Sequence, residues 1–241
     1  MIIVMFFLIL GSINLGMSRC EQCIARQLNS MKTLTKEELR DVAACKRTLY
    51  FKKGEVIFGE NELLSGVYCV REGICKMIKL SANGKDHTVK LMGKGKLIGQ
   101  RSVISEERTH LSAVALNDVE LCYVPKDQIL GNIKSNQEFS FNVLQNLAQD
   151  LREAEGDLIN MAQKSVRQRL AEALTYVSKT FGETEDGYLN VKLSREDYAS
   201  IVGTATESAI RILSQFKKEG LISTSGKRIK IEKLKELERV E

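Results

Sequence analysis

The chain has 241 residues, of which 43% are hydrophobic and 28% are charged, and its net charge is +5 at pH 7. This composition is ordinary for a globular protein, and the length allows one large domain or two modest ones. A single proline and the lack of low-complexity tracts exclude long disordered linkers. Six cysteines in a chain this long predict reduced thiols or a metal site, not the disulfide framework of a short secreted protein.

The chain opens with an apolar segment over residues 1–16. Its run from Met1 to Leu10 is shorter than the roughly 20 residues that span a bilayer. No Lys or Arg precedes Arg19, so the basic start of a signal peptide is missing. We therefore expect residues 1–16 to be a start-site error or an apolar tail, with translation starting at Met17 and no membrane contact; a membrane anchor is the alternative.

From about Leu49 to Pro125, short apolar runs alternate with glycines. Strands of this length and spacing predict an antiparallel β-sandwich or barrel, which we place in a first domain over residues 17–137. The Asn83-Gly84 pair is typical of a type I′ turn and predicts a hairpin between residues 74–80 and 87–92.

A long helix is predicted over residues 138–163. Six apolar residues recur there at steps of three and four among polar and charged neighbours: Leu144, Leu147, Leu151, Ala154, Leu158 and Met161. Such a heptad seam predicts dimerisation along an identical helix. The seam is short, so packing of this helix on the chain's own β-sandwich is the alternative.

Residues 164–241 carry the pattern of a winged helix-turn-helix. After an amphipathic helix over 165–181 and a short strand over 188–193, two short helices are predicted, separated by Gly203. The first runs over 195–202 from an N-cap at Ser194, and we expect it to bury Ala199, Ile201 and Val202. The second is expected to start with a capping box over 204–207 and to bury Ala205, Ala209, Ile212 and Phe216.

The outward face of the second helix carries Thr206, Glu207 and Arg211. A carboxylate accepts from cytosine N4, and an Arg forms two parallel hydrogen bonds to guanine, so this set predicts base reading in the major groove of duplex DNA. Two alternatives stay open: Glu207 completes the capping box with Thr204, or it only forms a surface ion pair with Arg211.

A β-hairpin wing is predicted from 221–223 and 228–231 around a turn at 224–226. Contacts to the DNA backbone position a protein without reading sequence. Six polar or basic residues are expected to make them: Ser194, Arg195, Thr204, Lys227, Arg228 and Lys230.

The stretches Val202-Gly203-Thr204-Ala205-Thr206-Glu207-Ser208-Ala209-Ile210-Arg211 and Lys218-Glu219-Gly220-Leu221-Ile222-Ser223 resemble the family of the cyclic-AMP receptor protein and the fumarate-nitrate reduction regulator (Crp/Fnr). The resemblance implies an α+β chain with a β-roll of the cyclic-nucleotide-binding type, a dimerisation helix and a DNA-binding domain. It also implies a cytoplasmic homodimer on a palindromic site and contact with RNA polymerase. A cyclic-nucleotide-binding module that acts on a protein partner is the alternative function. No motif supports an enzyme.

For the effector, the resemblance gives two expectations. Cyclic AMP is not expected, because Gln100 and Leu111 stand where the family has the Glu for the ribose and the Arg for the phosphate. An iron–sulfur cluster would use Cys20, Cys23 and Cys122, but the third N-terminal position is Asn29. Zinc, a thiol switch or no role are the alternatives for these cysteines. Three others are expected to be small buried hydrophobes: Cys45, Cys69 and Cys75.

Overall fold

A computed structural model of the chain describes residues 20–80 and 86–241. The apolar segment over 1–16 and the Asn83-Gly84 turn lie outside the described residues. The first part contains two 3₁₀ helices (Cys20–Gln22 and Ser30–Thr33), α1 (Ile24–Gln27), α2 (Lys36–Cys45), β1 (Arg47–Phe51), β2 (Val56–Phe58), β3 (Gly66–Glu72), β4 (Cys75–Leu80), β5 (Asp86–Met92), β6 (Leu97–Ile98), α3 (Gln100–Ser105), β7 (Ser112–Ala115), β8 (Val119–Pro125) and α4 (Lys126–Ser135). The second part contains α5 (Gln137–Gln163), α6 (Val166–Phe181), α7 (Arg195–Ile201), α8 (Thr206–Lys218), β9 (Ile222–Ser225), β10 (Arg228–Ile231) and α9 (Leu234–Leu237).

The β-roll consists of two four-stranded antiparallel sheets, ordered β1-β8-β3-β6 and β2-β7-β4-β5. Apolar side chains from both sheets fill the space between them, with Val67, Leu121 and Ala113 fully buried. Strands β4 and β5 pair with Cys75 opposite Met92, which confirms the predicted hairpin. The α+β class and the jelly-roll-like β-roll, which the family resemblance implied, are therefore confirmed.

Residues 20–34 fold over the outside of the first sheet and are held by two buried polar side chains. The guanidinium of Arg26 donates to the carbonyls of Cys20 at 2.9 Å and Met31 at 3.3 Å. The amide of Asn29 donates to Gly95 O at 3.0 Å, and its Oδ1 accepts from the Met31 N–H at 2.9 Å. Together with the burial of Met31 and Leu34, these bonds give the segment a fixed path along the sheet.

Helix α5 leaves the β-roll after its first two turns. Asn136 caps it by accepting from the Phe139 N–H at 2.8 Å, and Phe139 and Val143 are buried in the β-roll core. Beyond Leu147, the apolar side chains of this helix are exposed. None of the helices within residues 20–80 and 86–241 combines the length and apolar character that crossing a membrane requires.

A second core lies below the β-roll, built on the buried face of α6. Leu170, Leu174 and Val177 form this face, and Ser165 caps the helix in a full capping box with Gln168. Ile74 and Leu91 of the β-roll belong to the same core, so the two parts of the chain pack directly on each other.

The prediction of a strand over residues 188–193 is wrong. Only single bridges occur there, from Leu189 to Glu183 and from Tyr188 to Lys230. The Asn190 N–H turns back to donate to Gly182 O at 3.0 Å, so the segment leaves the edge of the wing before a ladder can form.

Candidate nucleic-acid interface

Helix α7 is fixed at its start by Ser194 and Asp197. The Ser194 hydroxyl accepts from the Asp197 N–H at 3.0 Å, and the Asp197 carboxylate accepts from the Ser194 N–H at 2.9 Å. Ala199 and Val202 are buried as expected, whereas Ile201 is only half-buried. Tyr198, which the sequence pattern did not single out, is almost fully buried instead.

The turn between the two helices places the start of α8 one residue later than expected. Gly203 has φ of +65°, a left-handed conformation that favours glycine, and the Thr204 N–H still donates to Ala199 O at 2.9 Å. Thr204 therefore closes the turn, and the exposed Ala205 is the N-cap without a side-chain cap bond. The predicted capping box from Thr204 to Glu207, and the burial of Ala205, are both wrong.

Glu207 takes neither of its two alternative roles in the described part of the chain. It does not close a capping box, and it makes no ion pair with Arg211 in the described part of the chain. Both side chains are exposed and make no side-chain hydrogen bond or ion pair with any residue that the structure describes, while Thr206 is half-buried beside them. The sequence pattern placed these three residues together, and the structure brings them onto the first two turns of α8.

The opposite face of α8 anchors the helix in the second core. Ala209, Ile212 and Phe216 are buried as expected, together with Leu213. The Arg167 guanidinium lies 4.7 Å from the centre of the Phe216 ring. One side of α8 is therefore fixed by packing, and the other faces outward.

The wing is a hairpin of β9 and β10 with Ser225 opposite Arg228. Its turn is Gly226-Lys227, which corrects the expected turn at 224–226: Thr224 pairs with Ile229 and belongs to the strand. Gly226 has φ of +58°, which a two-residue hairpin turn requires at its first position.

The expected backbone-contacting residues differ in what they already touch. Arg195 reaches the wing turn, with Nη2 3.4 Å from Gly226 O, and Lys227 at this turn is exposed. Arg228 pairs with Asp186 at 2.5 Å and lies 3.9 Å from the centre of the Tyr188 ring. Lys227 therefore presents its charge to the outside, whereas Arg228 is already engaged within the chain.

Three more of these residues are placed as follows. The Ser194 hydroxyl is used in the α7 capping box, with Oγ 2.8 Å from the Asp197 carboxylate. Thr204 is half-buried in the turn, and Lys230 bridges to Tyr188 in the wing. Two basic residues therefore lie together where the start of α7 meets the wing turn: Arg195 and Lys227.

A part-buried ion pair fixes α7 against the β-roll. Lys76 Nζ in β4 lies 2.8 Å from Asp197 Oδ1, and the two side chains are 18% and 13% exposed. The Thr88 N–H in β5 also donates to the Ser200 hydroxyl. Sequence analysis missed this contact because its partners are 121 residues apart and no local pattern joins them.

The expected seam residues lie on the outer part of α5. Leu144, Leu151, Leu158 and Met161 are exposed, as is Ala154, and Leu147 is half-buried against the β-roll core. Intrachain packing thus accounts for Leu147, whereas no residue of the described ranges covers the rest of the seam.

Cys69 and Cys122 lie side by side in the first sheet, whereas Cys75 lies in the second sheet and Cys45 ends α2, and no donor set that fits a metal forms among the described residues. Cys69 and Cys122 are direct cross-strand partners, and the Asn29 amide, at the family's third ligand position, bonds to Cys69 Sγ at 3.3 Å. Within residues 20–80 and 86–241, no three His, Cys, Asp or Glu side chains converge as metal ligands would. Burial raises the pKa of Cys69 to about 12 and that of Cys122 to about 11, so both side chains are thiols in the metal-free chain at neutral pH.

Two basic residues, Arg101 and Arg108, lie near Gln100 and Leu111 in the sequence, where the family has its cyclic-nucleotide ligands. Arg108 Nη1 donates to Asn61 O at 2.8 Å, and Arg101 is exposed on α3. The Ser112 hydroxyl accepts from the Glu60 N–H at 2.8 Å.

Two family models match the chain: the cyclic nucleotide-binding domain over residues 48–136 and the Crp-like helix-turn-helix domain over residues 168–240. The chain is 28% identical to the anaerobic regulatory protein of Bacillus subtilis, covering 79% of this chain and 81% of that protein. It is 27% identical to the CRP-like cAMP-activated global transcriptional regulator of Mycobacterium tuberculosis, covering 75% of this chain and 82% of that protein.

Solved structures show the same fold. FixK2 from Bradyrhizobium japonicum superimposes with a TM-score of 0.71 at 24% identity, covering 80% of this chain and 95% of that one. A CRP/FNR-family transcriptional regulator from Thermus thermophilus gives 0.67 at 25% identity, covering 80% and 99%. The chain therefore belongs to the Crp/Fnr family, whose members are transcription regulators that bind DNA through this helix-turn-helix, and not enzymes.

Proposed function

We propose that the chain acts as a homodimer on a palindromic duplex, with α8 in the major groove of each half-site. One observation carries this assignment: Glu207 and Arg211 are exposed on one face of α8 and have no side-chain partner in the described part of the chain. The wing turn, with Lys227, and the start of α7, with Arg195, would lie along the phosphate backbone. A cytoplasmic location and contact with RNA polymerase follow from this role.

The test compares the variant Arg211→Ala with the control variant Arg101→Ala. Arg101 is exposed on α3, outside the proposed interface. Loss of a bidentate contact to guanine predicts about 10- to 100-fold weaker binding to the preferred palindrome and relaxed selection at one base pair per half-site. Arg101→Ala should bind as the unmodified protein does. Equal binding of both variants, measured by fluorescence anisotropy at fixed salt, would rule out the reading role of Arg211.

Lys227→Ala serves as the backbone counterpart. Loss of one phosphate contact in each half-site predicts weaker binding to all sequences and a salt dependence whose slope falls by about one per half-site, or about two for the dimer. A change of sequence preference in this variant would contradict the assignment of Lys227 to the backbone.

For the sensing domain we propose, first, that the effector is not cyclic AMP. We propose, second, that the domain holds no preformed metal site. The missing Glu and Arg support the first part, and the position of Asn29, whose amide contacts Gly95 O and Cys69 Sγ, supports the second. We expect protein purified without oxygen to contain no stoichiometric iron, sulfide or zinc, and cyclic AMP to leave its thermal unfolding unchanged. Stoichiometric iron and sulfide, or a cyclic-AMP-dependent increase in Tm, would overturn the corresponding part.

A further inference from the structure

The outer face of α8 carries one large apolar side chain, Ile210. It is 45% exposed, while its neighbour Ala209 is fully buried and Ile212 is 6% exposed. Residues three and four apart share one face of a helix, so Ile210 lies in one row with Glu207, Arg211 and Ser214. Its periodicity could have placed it there, but the sequence pattern singled out only polar residues on this face.

Folding of the domain does not account for an isoleucine at this position. Ile210 is not part of the second core, which is complete on the opposite side of α8. A β-branched residue also has a lower helix propensity than alanine or leucine at an exposed site. Single exposed apolar residues are common on protein surfaces. What distinguishes Ile210 is its place between two charged side chains that have no partner in the described part of the chain.

The major groove offers one apolar group among its donors and acceptors, which is the C5-methyl group of thymine. Glu207 and Arg211 are suited to the polar edges of cytosine and guanine, and neither can recognise this methyl group. We propose that Ile210 packs on a thymine C5-methyl group in each half-site, next to the base pairs contacted by Glu207 and Arg211. This inference rests on the proposed placement of α8 in the major groove.

Uracil in place of thymine removes only the methyl group, so it isolates the proposed contact. The preferred palindrome is first selected from random duplexes with the unmodified protein, and each thymine of one half-site is then replaced singly by uracil. We expect one position at which uracil weakens binding about three- to fivefold, the effect of uncovering one methyl group. Ile210→Ala should bind the thymine and uracil sites equally.

Ser214→Ala is the matched control, because Ser214 lies one turn further along the same exposed face. This variant should keep the thymine preference. Alanine has a higher helix propensity than isoleucine, so Ile210→Ala should fold normally, and its thermal unfolding checks this.

The inference is overturned if no thymine shows a uracil penalty with the unmodified protein, or if the penalty persists in Ile210→Ala. Glu207→Ala and Arg211→Ala separate this failure from failure of the proposed function. If both variants select altered sequences but no uracil penalty exists, only the role of Ile210 falls. If both select the original palindrome, α8 does not read DNA, and the proposed function falls as well.

Discussion

At the scale of single residues, Asn29 shows how a side chain can look like a missing ligand and yet have a defined structural role. Its amide donates to Ala25 O and Gly95 O, both at 3.0 Å, and contacts Cys69 Sγ at 3.3 Å. The sequence predicted only that a thiol is lacking here. Its partners Gly95 and Cys69 lie 66 and 40 residues away, so their contacts could not be inferred from the local sequence.

We expect Asn29→Ala to lower the free energy of unfolding by about 2 kcal/mol, because buried carbonyl and N–H groups lose their partner. Asn190→Ala is the control, since the amide of Asn190 bonds to Phe181 O at an exposed site. Urea denaturation measures both variants. A destabilisation of Asn29→Ala no larger than that of Asn190→Ala would show that the segment over residues 20–34 does not depend on this amide.

At the scale of elements, periodicity located the four helices between residues 137 and 218 to within about one residue at their starts, but it gave no helix for α2 or α4. The step pattern from Leu144 onward located α5, and the Ser194-to-Asp197 pattern located the start of α7. The start of α8 was misplaced because Thr204 has the sequence of a cap, while its N–H closes the preceding turn onto Ala199. Local sequence could not decide between these two uses of one residue.

The seam on α5 gives a prediction about self-association. Leu158 is 72% exposed, so Leu158→Glu should leave the fold intact but place a charge in the proposed dimer contact. Gln145→Glu adds the same charge at an exposed position of α5 outside the seam. We expect sedimentation equilibrium to show a much weaker dimer for Leu158→Glu only. Equal association of both variants would place the dimer contact elsewhere.

At the scale of the whole molecule, the contact between α7 and the β-roll is the feature that sequence analysis missed. Burial alone would raise the pKa of Asp197, but hydrogen bonds from Lys76 and Ser194 outweigh it and hold this pKa below its ordinary value. A lowered carboxyl pKa stabilises the folded state above the unfolded pKa of about 4, and this stabilisation is lost as the pH falls through the folded pKa.

Accordingly, Asp197→Asn should be less stable than the unmodified protein at neutral pH, and the difference should shrink below about pH 4.

Lys76→Met should increase hydrogen exchange of the α7 amides, since the part-buried carboxylate loses its cation. Lys52→Met is the control, because Lys52 pairs with Asp118 at an exposed site. If both lysine variants exchange alike, the ion pair does not hold α7 in place.

A hydrogen-bonded contact at the end of α5 has a consequence for the DNA site. Arg169 donates to Met161 O at 3.2 Å and to Val202 O at 3.0 Å, so one guanidinium ties the last seam residue to the end of α7. In the proposed dimer, the angle between the two α5 helices therefore sets the distance between the two α8 helices. A rotation of one α5 against the other changes the preferred half-site spacing. A library of palindromes with varied spacers would measure this spacing in base pairs, and the spacing reflects the crossing angle of the two α5 helices.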